Sequence, residues 1–213
     1  MMSFRFSTVA PLLIVIAVMF PFAVTGCSEA EGIRTFDEPK PARPVPPQLP
    51  ADQKKFRTIA AMIPQNAGEA GPDAYGQWWF FKLSGPVDVV TANEPAFRAL
   101  VQSAQFTVGE NPLIWDNPPG WVTGDKREFL YASLKLGTKE SPTEITVTKA
   151  SGSVLMNVNR WRTQLGLDDV SASALDSVTS VRNVNNRIVV FVDVSGPKAP
   201  PPPGAAGPMM KKH

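Results

Sequence analysis

The chain has 213 residues, 43% of them hydrophobic, with 21 Lys and Arg against 19 Asp and Glu, one Cys, one His and 22 Pro. That length suits one domain with appendages, or two very small domains, and the near-neutral balance gives no electrostatic reason to expect nucleic acid as a partner. One cysteine forms no disulfide within the chain, and a lone histidine at position 213 leaves no place for a Ser-His-Asp or Cys-His nucleophile or a Cys/His zinc site; no cofactor or metal is expected.

Residues 1–26 read as an export signal. Arg5 supplies the basic start, an apolar run extends from Val9 to Val24, and the small residues Thr25 and Gly26 precede Cys27. The run is too short, and too broken by Pro11 and Pro21, to span a hydrocarbon core of about 30 Å comfortably. Val24-Thr25-Gly26-Cys27 resembles the lipobox of bacterial lipoproteins. The resemblance implies cleavage before Cys27 and acylation of that cysteine, palmitate included, whereas an ordinary secretory signal would leave Cys27 as a chance residue. At about 0.8 kcal/mol per buried methylene, several acyl chains make a lasting anchor. Ser28 stands where an inner-membrane retention signal would place Asp. The expected location is the cell envelope, on the periplasmic side of the inner or outer membrane, with the membrane and an envelope protein as partners.

Residues 27–55 form the acylated cysteine and a tether. Six prolines and few large apolar groups leave it too little surface to bury against chain entropy. From Pro39 to Pro50 polyproline II would give a semi-rigid spacer of roughly 35–40 Å. Residues 56–196 are one domain-sized block, and 197–213 a proline-rich tail expected to be disordered.

Within the block, Phe56 to Ile63 reads as a first strand closed by Pro64, and Gly68 to Gly76 as a polar loop. Gln77 to Ser84 is the most aromatic strand, ended by Gly85-Pro86. Asn93 to Phe106 carries Phe97, Leu100, Val101 and Ala104 on one helical stripe, with Asn93 as cap and Pro95 in the first turn. A proline-rich loop follows, Asn111 to Gly124. Glu128 to Leu136 alternates, as does Thr143 to Lys149, with Ile145 and Val147 inward and Glu144, Thr146 and Thr148 outward. Ser153 to Leu165 is a second helix with Val154, Val158, Trp161 and Leu165 on one side and Gly166 as its C-terminal cap. Val178–Val184 and Arg187–Val194 form a hairpin about Asn185-Asn186, whose side chains tolerate positive φ. Ile188 to Val192 is apolar on both faces and belongs inside the sheet. The fold class is α+β: a mainly antiparallel sheet packed with two to three helices, an α-β-α sandwich.

Three groups are candidate sites. In Trp78-Trp79-Phe80-Phe81-Lys82 neighbours alternate faces, so if one pair enters a core the other, Trp79 among them, meets a second layer, a partner or a ligand. Trp115 and Trp121 stand among three prolines in a stiff loop suited to stacking on a sugar or peptide, or to plugging the end of the sandwich. Arg160 and Arg162 could together hold a carboxylate or phosphate, or pair with Asp168 and Asp169. Asp73, Asp88, Asp116, Asp125 and Asp193 show no pairing that would point to carboxylate catalysis.

The succession Trp79-Phe-Phe-Lys-Leu-Ser-Gly-Pro86, Pro119-Gly120-Trp121 and Asn157-Val-Asn-Arg-Trp-Arg-Thr-Gln-Leu-Gly-Leu167 resembles a family of uncharacterised lipoproteins of planctomycete-type bacteria. The resemblance covers about residues 56–196 and implies an address rather than an activity. The element pattern and the Pro-Gly-Trp turn also look like the PsbP and Mog1 proteins, α-β-α sandwiches used as binding or assembly modules. The expected function is a membrane-anchored, non-enzymatic accessory or binding module. The alternative is a glycan or small-ligand domain using Trp115, Trp121, Arg160 and Arg162.

Overall fold

A computed structural model describes residues 49–65, 75–107, 112–137 and 143–202. The signal segment, Cys27, most of the tether, the loop core at 66–74, Asn111 and the tail from 203 lie outside the described residues.

Seven strands form one antiparallel sheet. In chain order they are β1 (Phe56–Pro64), β2 (Gly76–Pro86), β5 (Val122–Thr123), β6 (Ala132–Leu136), β7 (Thr143–Gly152), β8 (Thr179–Val184) and β9 (Arg187–Gly196), arranged across the sheet as β5-β6-β7-β2-β1-β9-β8. A separate two-stranded pair joins β3 (Gln105–Phe106) to β4 (Leu113–Ile114). Helix α1 (Val87–Ser103) packs on one face, and helix α2 (Val154–Gln164) with a 3-10 turn at Ala172–Ser177 packs on the other. The class is α+β, as expected.

The aromatic strand shows how both faces are filled. Trp79, Phe81 and Leu83 join Ile59, Ile63 and the α1 residues Val90, Phe97, Leu100 and Val101 in one core. Trp78 and Phe80 point the other way, to Ala60, Met62 and the α2 residues Val154, Val158, Trp161 and Leu165. Phe80 meets Trp161 edge to face at 5.9 Å and 87°, and the Trp78 indole donates to the Gly152 carbonyl at 2.8 Å. Each large side chain buried this way contributes about 1.5–3 kcal/mol.

Helix α2 matches the sequence pattern closely. The Ser153 hydroxyl caps it by accepting from the Met156 amide at 3.2 Å. Gly166, at φ +77°, closes it: its amide reaches Thr163 O and that of Leu167 reaches Arg162 O, the two bonds of a Schellman motif. The hairpin also forms as expected, with Asn185 at φ 49° and Asn186 at φ 61° between β8 and β9.

Helix α1 departs from expectation. It starts at Val87, six residues before Asn93, and ends at Ser103. Pro86 precedes it, and Val90 extends the Phe97–Val101 stripe back by two turns. Asn93 is no cap; its side chain donates back to Val89 O at 2.9 Å. Pro95 lies inside the helix, where its missing amide leaves the carbonyl of Thr91, an exposed residue, to solvent. Beyond Ala104 the chain turns extended, so Phe106 belongs to β3.

Three further expectations need correction. The first strand after the proline-rich loop begins at Ala132 rather than Glu128, because Arg127–Leu130 makes a turn with Phe129 at φ 65°. Glu144 and Thr146 do not face solvent; each is at least nine-tenths buried on the α2 side of the sheet. The tail is also ordered at its start, where the Lys198 amide bonds to Leu165 O at 3.0 Å.

Candidate binding site

The aromatic loop plugs one end of the sandwich. Pro118 to Trp121 forms a turn with Gly120 at φ +81° and the Trp121 amide on Pro118 O at 3.1 Å, which suits Pro119 and Gly120 at its centre. Trp121 is 5% exposed and Trp79 is 3% exposed, both within the α1-side core. Trp115 is half-buried, edge-on to Phe81 at 5.8 Å and to Tyr131 at 6.1 Å, with its indole N–H on the Asn117 side chain at 3.1 Å. Trp79 and Trp121 therefore have no open ring face, and the two-indole platform expected of Trp115 and Trp121 is not formed.

Arg160 and Arg162 diverge. Arg162 is buried, and its Nε donates to Asp168 O at 2.7 Å, fixing the segment after α2. Burial pulls its pKa down while Asp168 and Asp169 act in the opposite sense. Asn159 ties down the same segment through Val170 N and O at 2.9 and 3.0 Å, and Asn157 is buried on Ser153 O. Arg160 is half-buried, its Nε enclosed without a hydrogen-bond partner, and burial lowers its pKa.

The charge of Arg160 acts on Lys82, which stands in a site where apolar packing gives out on the α2 side of the sheet. Strand pairing aligns Ser133, Thr146 and Lys82 across β6, β7 and β2. The Thr58 and Ser84 hydroxyls bond at 2.9 Å, and Glu144 is paired with Arg127. Lys82 is a half-buried ammonium for which no ion pair or hydrogen bond is formed among the described residues. Burial, and then the positive charge of Arg160, lower its pKa to about 8. The Ser133 hydroxyl is buried and also lacks a partner. A cleft of about 220 Å³ opens over this surface, with Lys82, Thr146 and Glu144 on its polar side and Phe56, Pro86 and Pro200–Pro202 on its apolar side.

A second cavity, about 290 Å³, lies between α1 and the β8–β9 edge. Its charges are already matched: Asp193 holds Arg57, Arg98 holds Glu94, and Arg98 also stacks on Phe191 at 5.2 Å. In the Lys82 cleft the one carboxylate, Glu144, is paired with Arg127, and Lys82 forms no ion pair among the described residues.

No family model, curated protein or solved structure matches this chain. Among the described residues no group of three or more His, Cys, Asp or Glu could hold a metal, and no helix is long and apolar enough to cross a membrane.

Of Trp79, Trp115, Trp121, Arg160 and Arg162, Trp115 and Arg160 keep partial exposure, and Arg160 an unsatisfied nitrogen. Lys82 was missed, although its signal was present. Alternation places it on the face of Trp78 and Phe80, and an ammonium on that face of an otherwise apolar strand is costly unless something answers it.

Proposed function

We propose that the protein is a lipid-anchored module of the cell envelope that works by binding, using the cleft floored by Lys82. The observation that carries the binding half is the uncompensated Lys82 ammonium, sheltered beside Arg160. A fold that needed only stability would place an apolar residue there, since an unpaired buried cation is destabilising. Retained cost of this kind belongs to functional sites. Lys82→Met, which keeps the apolar stem, should therefore raise the melting temperature by a few degrees. A fall would mean that Lys82 is a structural residue and would defeat the reading.

The anchoring half rests on Cys27, the sole cysteine, following Val24-Thr25-Gly26 and preceding a proline spacer. Labelled palmitate should enter the wild-type chain and not Cys27→Ser, and equal labelling of the two would overturn this half. The spacer would hold the cleft clear of the headgroups, where an envelope partner or ligand can reach it.

The glycan-stacking alternative has less support, because Trp121 is in the core and Trp115 alone keeps a partly open ring.

A further inference from the structure

The chemistry of the cleft walls selects among anions. Lys82 lines the cleft with an ammonium and Thr146 with a hydroxyl, and Arg160, outside the lining, is close enough for its positive charge to act on Lys82. Arg127 is already held by Glu144, whose carboxylate also lines the cleft and opposes a highly charged guest. The remaining wall is apolar: Phe56, Pro86 and the prolines Pro200–Pro202.

A phosphate dianion would press at least two strongly hydrated oxygens against these apolar groups without donors to receive them, at a cost of several kcal/mol. A carboxylate has only two oxygens to satisfy, both at one end, and leaves its body free to meet Phe56 and the prolines. The cleft, about 220 Å³, holds the equivalent of roughly seven waters at about 30 Å³ each, the size of a small organic acid.

We propose that this cleft binds a small organic carboxylate with an apolar body, its carboxylate on Lys82 under the field of Arg160 and its body between Phe56 and the Pro200–Pro202 wall. The proline segment is thereby a working part of the site. It is held in place by the bond from the Lys198 amide to Leu165 O, and it runs near enough to Gly166 that a Cβ added there would meet Lys198 and Pro197.

This inference rests on the reading that the protein acts by binding at Lys82, and the two can fail separately. The test uses the detergent-solubilised full chain, titrated calorimetrically with phenylacetate, its neutral analogue phenylacetamide, and inorganic phosphate. Phenylacetate should bind with a dissociation constant of about millimolar order, as befits about ten heavy atoms at roughly 0.3–0.4 kcal/mol each. Phenylacetamide and phosphate should bind at least tenfold more weakly. Lys82→Met should cost tenfold or more and Arg160→Met several-fold. Lys135→Met, which removes a cation paired with Asp125 outside the cleft, should leave binding unchanged. Absence of saturable phenylacetate binding, binding that survives Lys82→Met, or preference for phosphate each overturns the carboxylate assignment. If that happens while Lys82→Met still raises the melting temperature, the cleft keeps its role and only the ligand class is wrong.

Discussion

Lys82 and Arg57 are both cations set among buried strands, and they have opposite fates. Lys82 has its pKa lowered to about 8 from an ordinary 10.5. Below pH 8 it is charged in both folded and unfolded chains, and the folded one bears the full penalty. Between about 8 and 10.5 the unfolded chain holds a proton that the folded chain has released, so stability rises with pH by linkage. Urea unfolding across that range should show this slope in the wild type and its loss in Lys82→Met; identical slopes would refute the assignment. Arg57, by contrast, is answered three times. Its Nε and Nη2 reach Asp193 at 2.9 and 2.6 Å, Nη2 reaches Glu94 at 2.8 Å, and Nη1 reaches the Thr91 hydroxyl at 3.1 Å. Burial works against the Glu94 charge, but hydrogen bonds from Arg98 and Arg57 outweigh it and hold its pKa below the ordinary value. Arg57→Ala should cost about 2 kcal/mol, read from urea midpoints. A depressed carboxylate stabilises above its unfolded pKa and loses that effect as pH falls through the folded one, so the variant should also lose less stability on acidification.

At the scale of elements, what was legible depended on whether the signal was local. Helix α2 carried its own punctuation, with Ser153 at one end and Gly166 at the other, and the Asn185-Asn186 turn announced its hairpin. Helix α1 misled because Asn93, Glu94 and Pro95 imitate a start. The true start is set by Pro86 and by Val90 docking on the sheet, a tertiary fact. Its end is tertiary too: Asn185, at the distant hairpin, donates to both Gln102 O and Ala104 O at 3.0 Å. Asn185→Gly preserves the positive φ and removes both bonds. It should cost about 1–2 kcal/mol in chemical denaturation, and a neutral result would show the cap to be idle. The candidate site was hidden for a related reason. Glu144 and Thr146 alternate as solvent-facing residues do, and nothing within β7 reveals that Arg127, Lys82 and the proline segment close over them. Trp121 and Arg162 took the structural of the two roles their sequence left open, packing at the end of the sandwich and capture of the Asp168 carbonyl.

For the molecule as a whole, the order β5-β6-β7-β2-β1-β9-β8 places the first strand of the domain between the second and the last. A chain stopped after Val184 would leave one side of β1 unpaired and expose Ala60, Met62 and the aromatic rows beside them. It should lack cooperative thermal unfolding; a sharp transition in that fragment would show that β9 is dispensable.

The same strand order governs when folding can happen. Ala60 finds Lys82 early, but its other side waits for Val192, in the last strand of the sheet to be made. A polypeptide delivered amino end first thus keeps one side of β1 unpaired until β9 has emerged. On the proposed route across a membrane, that delay would keep the chain in a threadable state for the length of the journey.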